Sequence, residues 1–198
     1  MAALAVCLFF VVSGFLITQS YMYRKDLLAF AEARVLRIFP GLIAAVLFTS
    51  LVVGGITSTF TVEEYYQHNE VYSYIIRGIT LIGLQHHLPG VFENNVWPGG
   101  VNGSLWTLPV EMFMYIMVAV AGVLKILNSR KLFIAGLLGL TSGYYIFLYG
   151  YYMMHAILFF CFALGSFMYI NRDIVLVSIP VLLLMCLATI LSYDTELY

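Results

Sequence analysis

Residues 101–118, VNGSLWTLPVEMFMYIMV, place a single carboxylate, Glu111, at the start of what is otherwise a membrane-spanning run. Uncharged stretches flank it, over residues 94–110 and 112–124. With a helix beginning near Leu105 at a membrane surface, Glu111 lies roughly 9 Å along the axis, at about 1.5 Å per residue. Ionisable groups at that depth are costly and face a bundle interior, a partner or a wet cavity. A helix that begins later instead leaves Glu111 among the headgroups, as a charge near a helix N-terminus. The residues alone leave both readings open.

The rest of the chain agrees with a membrane setting. Of its 198 residues, 63% are hydrophobic and 10% charged, and the mean hydropathy is +0.97. Soluble domains carry about 25% charge, so the composition specifies an integral membrane protein. Strand-like alternation is absent, so helices are expected rather than a lipid-exposed barrel. A net charge of -1 gives no nucleic-acid footprint. Cys7, Cys161 and Cys186 lie singly in apolar runs, without metal-ligand spacing, and read as buried hydrophobes. No Gly-rich phosphate loop, nucleophile elbow, zinc-protease motif or repeat is present, and no metal site is expected.

Taken in order, the uncharged residues 1–23 suffice to cross the roughly 30 Å hydrocarbon core. This span opens without a polar leader, which suggests a missing upstream piece. Ser13-Gly14 sits in its middle and reads first as a packing pair. A charged stretch over residues 24–37 follows, with Arg34 and Arg37 three apart and so on one helix face. Such a pair can hold phosphates of a ligand or of lipid, or simply anchor the positive-inside end. Pro40 fits a helix start or an interfacial kink, and Gly54-Gly55 end or loosen the second span. Residues 72–85 are apolar but short and broken by Arg77 and Gly78; they can cross, lie along the surface or re-enter. His86-His87 fall in a Gly- and Pro-rich loop. Residues 132–171 carry no formal charge and split at Gly150 into two spans, with His155 at the interface, and residues 174–193 make a last span.

Charge bias puts residues 24–37 in the cytoplasm. The expected fold is an all-α polytopic membrane protein, a helical bundle of about six to eight transmembrane helices. An intramembrane Glu with two arginines at the cytoplasmic face suits a membrane transferase for a phosphate-bearing donor, and a transporter nearly as well.

Three stretches in series sharpen this: LFFVVSGFLIT at 8–18, RVLRIFP at 34–40 and NGSLWTLPVEMFMY at 102–115. In this order the chain resembles the membrane acyltransferase 3 family, bacterial O-acyltransferases that modify lipopolysaccharide, capsule and other surface glycans. The likeness is dense in the first half; beyond Leu132 it is one of hydrophobic, many-helix character. It implies that residues 1–198 form a partial membrane acyltransferase domain in a bacterial inner membrane. It also implies acyl-coenzyme A as donor, most often acetyl-coenzyme A, and a glycan or lipid-linked sugar as acceptor, among membrane lipid. By resemblance, Arg34 and Arg37 bind or orient the donor, Trp106 and Glu111 belong to the catalytic motif, and Ser13 with Gly14 lines the route where donor and acceptor meet.

One departure matters more than the matches. Family members carry, ahead of the FFVVSGF-like helix, a helix with an arginine and an essential histidine. This chain begins after it, and His68, His86, His87 and His155 do not match that position. The resemblance therefore implies a chain shortened at its N-terminus and at its C-terminal end. Glu111 is then expected to orient a basic partner rather than act as the base, since an isolated carboxyl in apolar surroundings tends to its neutral form. A transporter, or a non-catalytic membrane subunit or remnant, is the competing class; it explains Glu111 but not three motifs in series.

Overall fold

The computed structural model describes residues 2–95, 99–130 and 153–173. Helix α1, Ala2–Arg24, is uninterrupted by proline and measures about 35 Å at 1.5 Å per residue. It ends where Lys25 takes a left-handed φ of 53°. Asp26 then caps α2, Leu27–Leu47, by accepting from the N–H groups of Leu28 (2.9 Å) and Ala29 (3.3 Å). The chain thus turns from α1 into α2 within two residues, and the helices touch near that turn, where Tyr21 meets Phe30. Pro40 lies inside α2 rather than at its start.

The rod does not stop at the Gly54-Gly55 pair. It widens into a π-helical segment, Phe48–Val53, and continues as α3, Gly54–Thr57. The Gly54 N–H bonds back five residues to Thr49 O, which leaves neighbouring carbonyls in need of donors. Two tyrosines of α4, Val62–Gln67, supply them. Tyr65 Oη donates to Ser50 O at 2.8 Å, and Tyr66 Oη donates to Leu51 O. A Cβ at Gly54 would lie 1.9 Å from Tyr65 Oη, and one at Gly55 2.7 Å from Tyr66 Oη. The glycines therefore make room for two phenols instead of ending the span. Burial pushes the Tyr65 hydroxyl up to about 12, so it remains a donor at any ordinary pH.

Helix α5, Asn69–Thr80, covers most of the ambiguous segment at residues 72–85. It is about 18 Å long, too short to cross, and ends at Leu81 with φ 59°. It packs back on α2, where Gly78 admits the Val46 methyls. The loop beyond is tied to the end of α3 by a Ser58–Val91 bridge and by Thr59 N–H donating to Gly90 O at 2.9 Å. A 3₁₀ turn, Gly103–Trp106, then leads into α6, Thr107–Val123. Pro109 falls in the first turn of α6, where its missing N–H has no cost.

Helix α7, Met153–Ile170, lies parallel to α1 and α6. Cys7 neighbours Cys161 and Phe15 neighbours Tyr169 along α1, while Phe113 meets Phe159 along α6. In a membrane, helices gain little from mutual apolar burial and rely on close backbone approach. Gly14 and Gly165 provide it: a Cβ on either would lie 1.9 Å from a carbonyl of the opposite helix, Phe162 O or Val11 O. Ser166 Oγ donates across the seam to Gly14 O at 3.3 Å. Phe10, Ile17, Met114 and Leu158 fill the interior, and Leu8, Val12, Ile116 and Leu164 face outward. An Arg130–Asp173 ion pair joins the segments that follow α6 and α7.

Among the described residues, Leu4–Arg24, Leu27–Thr57 and Gly103–Val123 are long and apolar enough to cross a membrane, and His155–Ile170 is a shorter apolar helix. The protein is therefore integral to a membrane. The first of the two spans expected within residues 132–171, and the last span at 174–193, lie outside the described residues.

Leucine at Gly14 or Gly165 is expected to destabilise the bundle by about 1–3 kcal/mol or more, as overpacking does. Gly41→Ala, with nothing within 4 Å of the added carbon, is the neutral comparison; thermal unfolding in detergent reads the difference. A second expectation concerns pH. Thr61 and Glu64 form a reciprocal capping box at α4, and the hydrogen bonds from Thr61 hold the Glu64 carboxyl below its ordinary value. That support is full above the unfolded value of about 4.3 and is lost as pH falls through the lower folded value. Amide protection factors over Val62–Gln67 should fall in that acid window, and those of Glu64→Gln should not change there.

Candidate functional site

The polar interior of the bundle is built from one face each of α1, α2 and α6. Glu111 lies in the second turn of α6 and is only 7% exposed. One turn further, the buried Tyr115 Oη donates to Glu111 Oε2 at 3.1 Å, the i, i+4 spacing that puts two side chains over one another on a helix. The carboxylate is therefore enclosed by protein, on a helix that begins at Thr107. Ser13, buried on α1, has its hydroxyl beside the Tyr115 phenol but in no well-formed hydrogen bond.

The arginines occupy different environments although they share a face of α2. Arg34 Nη2 donates to Ser20 Oγ of α1 at 3.1 Å. Its guanidinium lies over the rings of Phe30 (5.5 Å) and Tyr115 (5.9 Å), where the π faces favour a cation. Its Nε is buried without a partner. Arg37, one turn on, is exposed. It acts electrostatically on both Glu111 and Tyr115, yet no ion pair within 4 Å joins it to Glu111; among the described residues only Arg130–Asp173 pair so closely. One cation is thus clamped by aromatic rings and a serine, and its neighbour keeps its donors for another acceptor. Neither stands at the mouth of α2: seven and ten residues past Leu27, at about 1.5 Å each, set them roughly 10 and 15 Å along the helix.

Trp106 stands apart from this group. It closes the 3₁₀ turn before α6, half-buried, with its ring edge against the His155 imidazole of α7 at 5.9 Å. Five residues separate it from Glu111, more than one helical turn. Ser13, Arg34, Arg37 and Glu111 therefore come together, and Trp106 marks the entrance end of the same helix. The remaining histidines do not converge: His68 packs on Phe60, His86 Nδ1 is buried without a partner, and His87 abuts Gly99. Among the described residues no three His, Cys, Asp or Glu side chains gather as for a metal ion.

Sequence reasoning missed Tyr115, Ser20 and the Trp106–His155 contact. Tyr115 was findable, since a lone intramembrane carboxylate demands a donor and the residue at i+4 carries a hydroxyl. Ser20 and His155 depend on contacts between distant segments and leave no local signal.

Comparison with known proteins gives this geometry a context. The sequence pattern of a family described as an acyltransferase domain matches residues 1–194. An O-acetyl transferase of Shigella phage Sf6 is 34% identical over 139 residues, 70% of this chain and 40% of that protein. Nodulation protein 10 of Rhizobium leguminosarum bv. viciae is 33% identical over 118 residues, 58% of this chain and 32% of that protein. The chain thus spans well under half the length of these relatives. No solved structure matches it.

Replacing Tyr115 by phenylalanine removes the hydrogen bond on a carboxyl that burial has already cut off from water. The expected cost is about 1–3 kcal/mol of stability, read as lowered thermal resistance in detergent. In a Tyr115→Phe, Glu111→Leu double variant, with no carboxyl left to satisfy, most of that loss should return.

Proposed function

The chain belongs to this acyltransferase-domain family, and from that premise we propose that it serves the transfer of an acyl group, most often acetyl, from acyl-coenzyme A to a hydroxyl of a surface glycan or lipid-linked sugar in the bacterial inner membrane. The observation that carries the reading is the convergence of Ser13, Arg34, Arg37 and Glu111. They come from three separate stretches of sequence and gather around Tyr115, with Ser13 and Glu111 buried and Arg37 exposed.

In this reading the Arg24 end of α1 faces the cytoplasm, and the donor enters from there. Arg37, exposed and free of a close carboxylate, takes donor phosphate; Arg34, fixed by Ser20 and two rings, sets the direction of that contact. The acceptor hydroxyl attacks the thioester carbonyl, the ester C–O bond forms, the C–S bond breaks, and the departing thiolate takes up the proton that the hydroxyl gave to a base. Glu111 is not that base: held by Tyr115 and within the field of Arg37, it orients a basic partner. The chain spans well under half the length of its relatives, and the activity proposed is that of a whole acyltransferase, with the base a histidine as the resemblance implies. Trp106, beside the start of α6, stands where the acceptor would approach.

Radiolabelled acyl-coenzyme A tests this, with incorporation into membrane glycans compared between this chain and one joined to an upstream helix bearing Arg and His. Absence of label even with the extended chain would sink the acyl-transfer reading. Alanine at Arg34 or Arg37 should weaken donor binding roughly tenfold or more at unchanged membrane insertion. Unaltered donor affinity would count against their assignment.

A further inference from the structure

The loop-to-helix junction ahead of α6 holds a buried polar cluster that no role in acyl transfer has absorbed. Asn102 adopts a left-handed backbone, φ 52° and ψ 44°, which asparagine tolerates better than most residues. Its side-chain Nδ2 donates to Thr49 Oγ1 of the π segment at 2.8 Å and to Tyr74 Oη of α5 at 3.1 Å. Its own carbonyl accepts from Leu105 N–H at 3.1 Å, which starts the 3₁₀ turn. One residue therefore ties α2, α5 and the first turn of the α6 rod. Both acceptors are withdrawn from solvent, Thr49 at 8% and Tyr74 at 1% exposure, where a hydrogen bond has no water competing for it.

The acceptor side is itself held in place. Thr49 O takes the five-residue hydrogen bond of the π segment, and the next carbonyl, Ser50 O, is latched by Tyr65. The α6 helix runs from Thr107 to Val123 without a break, so a shift at its start is carried down its length. One residue of slip moves a helix by about 1.5 Å and turns it by about 100°. Glu111 lies close enough to Arg37 to feel its charge but not to pair with it, so a shift of α6 changes the separation and with it the interaction.

We propose that Asn102 is a positioning residue: its bonds to Thr49 and Tyr74 fix the depth and rotation of α6, and so place Trp106 and Glu111 relative to the arginines of α2. The inference rests on the acyl-transfer reading for its consequence, but its geometric half stands independently.

Cross-linking of the full chain in membranes tests it, with Cys7, Cys161 and Cys186 first replaced by alanine. A Phe113→Cys, Phe159→Cys pair reports α6 against α7, and a Phe15→Cys, Tyr169→Cys pair reports α1 against α7; the native rings are 5.5 and 5.3 Å apart. Asn102→Gly keeps the left-handed turn and loses the amide, and Thr49→Val loses only the hydroxyl. Each should cut the α6–α7 yield at least threefold and leave the α1–α7 yield unchanged, with Thr49→Ser restoring it. In the chain extended for activity, kcat should fall about tenfold with the KM for acyl-coenzyme A unchanged. Unchanged α6–α7 yield in both variants would overturn the proposal, and so would equal loss at both pairs, which marks general unfolding. No acyl transfer by the extended chain with native Asn102 would sink the acyl-transfer reading and leave the cross-linking result standing. An active extended chain whose α6–α7 yield is unaltered by Asn102→Gly and Thr49→Val would do the reverse.

Discussion

A polar group carried into hydrocarbon has no water to turn to, and the cost of leaving it unpaired is several kcal/mol. Much of this architecture follows from how the chain meets that demand. The carbonyls set loose by the π segment are met by Tyr65 and Tyr66, and the glycines at 54 and 55 exist in the space those phenols need. Ser166 answers Gly14 across the α1–α7 seam, Ser20 and two rings answer Arg34, and Tyr115 answers Glu111. In each case the partner comes from another helix or from one turn away. The bundle is held together by these exchanges, with backbone contact at Gly14 and Gly165 setting the spacing.

The same accounting separates scaffold from chemistry. Groups fully engaged with the protein, such as Asn102 and Tyr65, can only hold shape. Among the described residues, four buried polar atoms lack partners: Ser13 Oγ, Thr18 Oγ1, Arg34 Nε and His86 Nδ1. Two of them, Ser13 Oγ and Arg34 Nε, lie beside Tyr115 near the exposed Arg37, and a site that must receive a ligand has to leave some hydrogen-bonding capacity open.

How much of this was legible beforehand follows from the range of each interaction. A lone carboxylate in an apolar run is a local signal, so Glu111 could be singled out, although its partner Tyr115 was missed. The family likeness named Ser13, Arg34, Arg37 and Trp106 together, and four of the five selected residues do converge, with Trp106 one turn away. Periodicity could not foresee the π segment, because the tyrosines that stabilise it lie 15 residues on. It read Gly54-Gly55 as ending or loosening the span, and could not see that the Tyr65 and Tyr66 phenols fill the space beside the pair. Charge bias located the arginine segment as a whole, whereas the position of Arg34 and Arg37 along α2 depends on where that helix begins, which Asp26 decides. Residues 72–85 stayed ambiguous since length and hydropathy at their values permit several placements, and the packing of Gly78 on Val46 joins segments too far apart in sequence to leave a local signal.

The π segment of α2 also bears on how such a chain tolerates change. A π turn holds an extra residue, so the halves of the rod on either side of Phe48–Val53 are out of phase by about 100° compared with an unbroken α-helix. One half can therefore aim Arg34 and Arg37 at α6 while the other aims Thr49 and Ser50 at the loop helices. For this helix, losing a single residue near Ser50 would barely shorten it. It would instead rotate one half against the other, so the two faces could no longer be addressed by one rod.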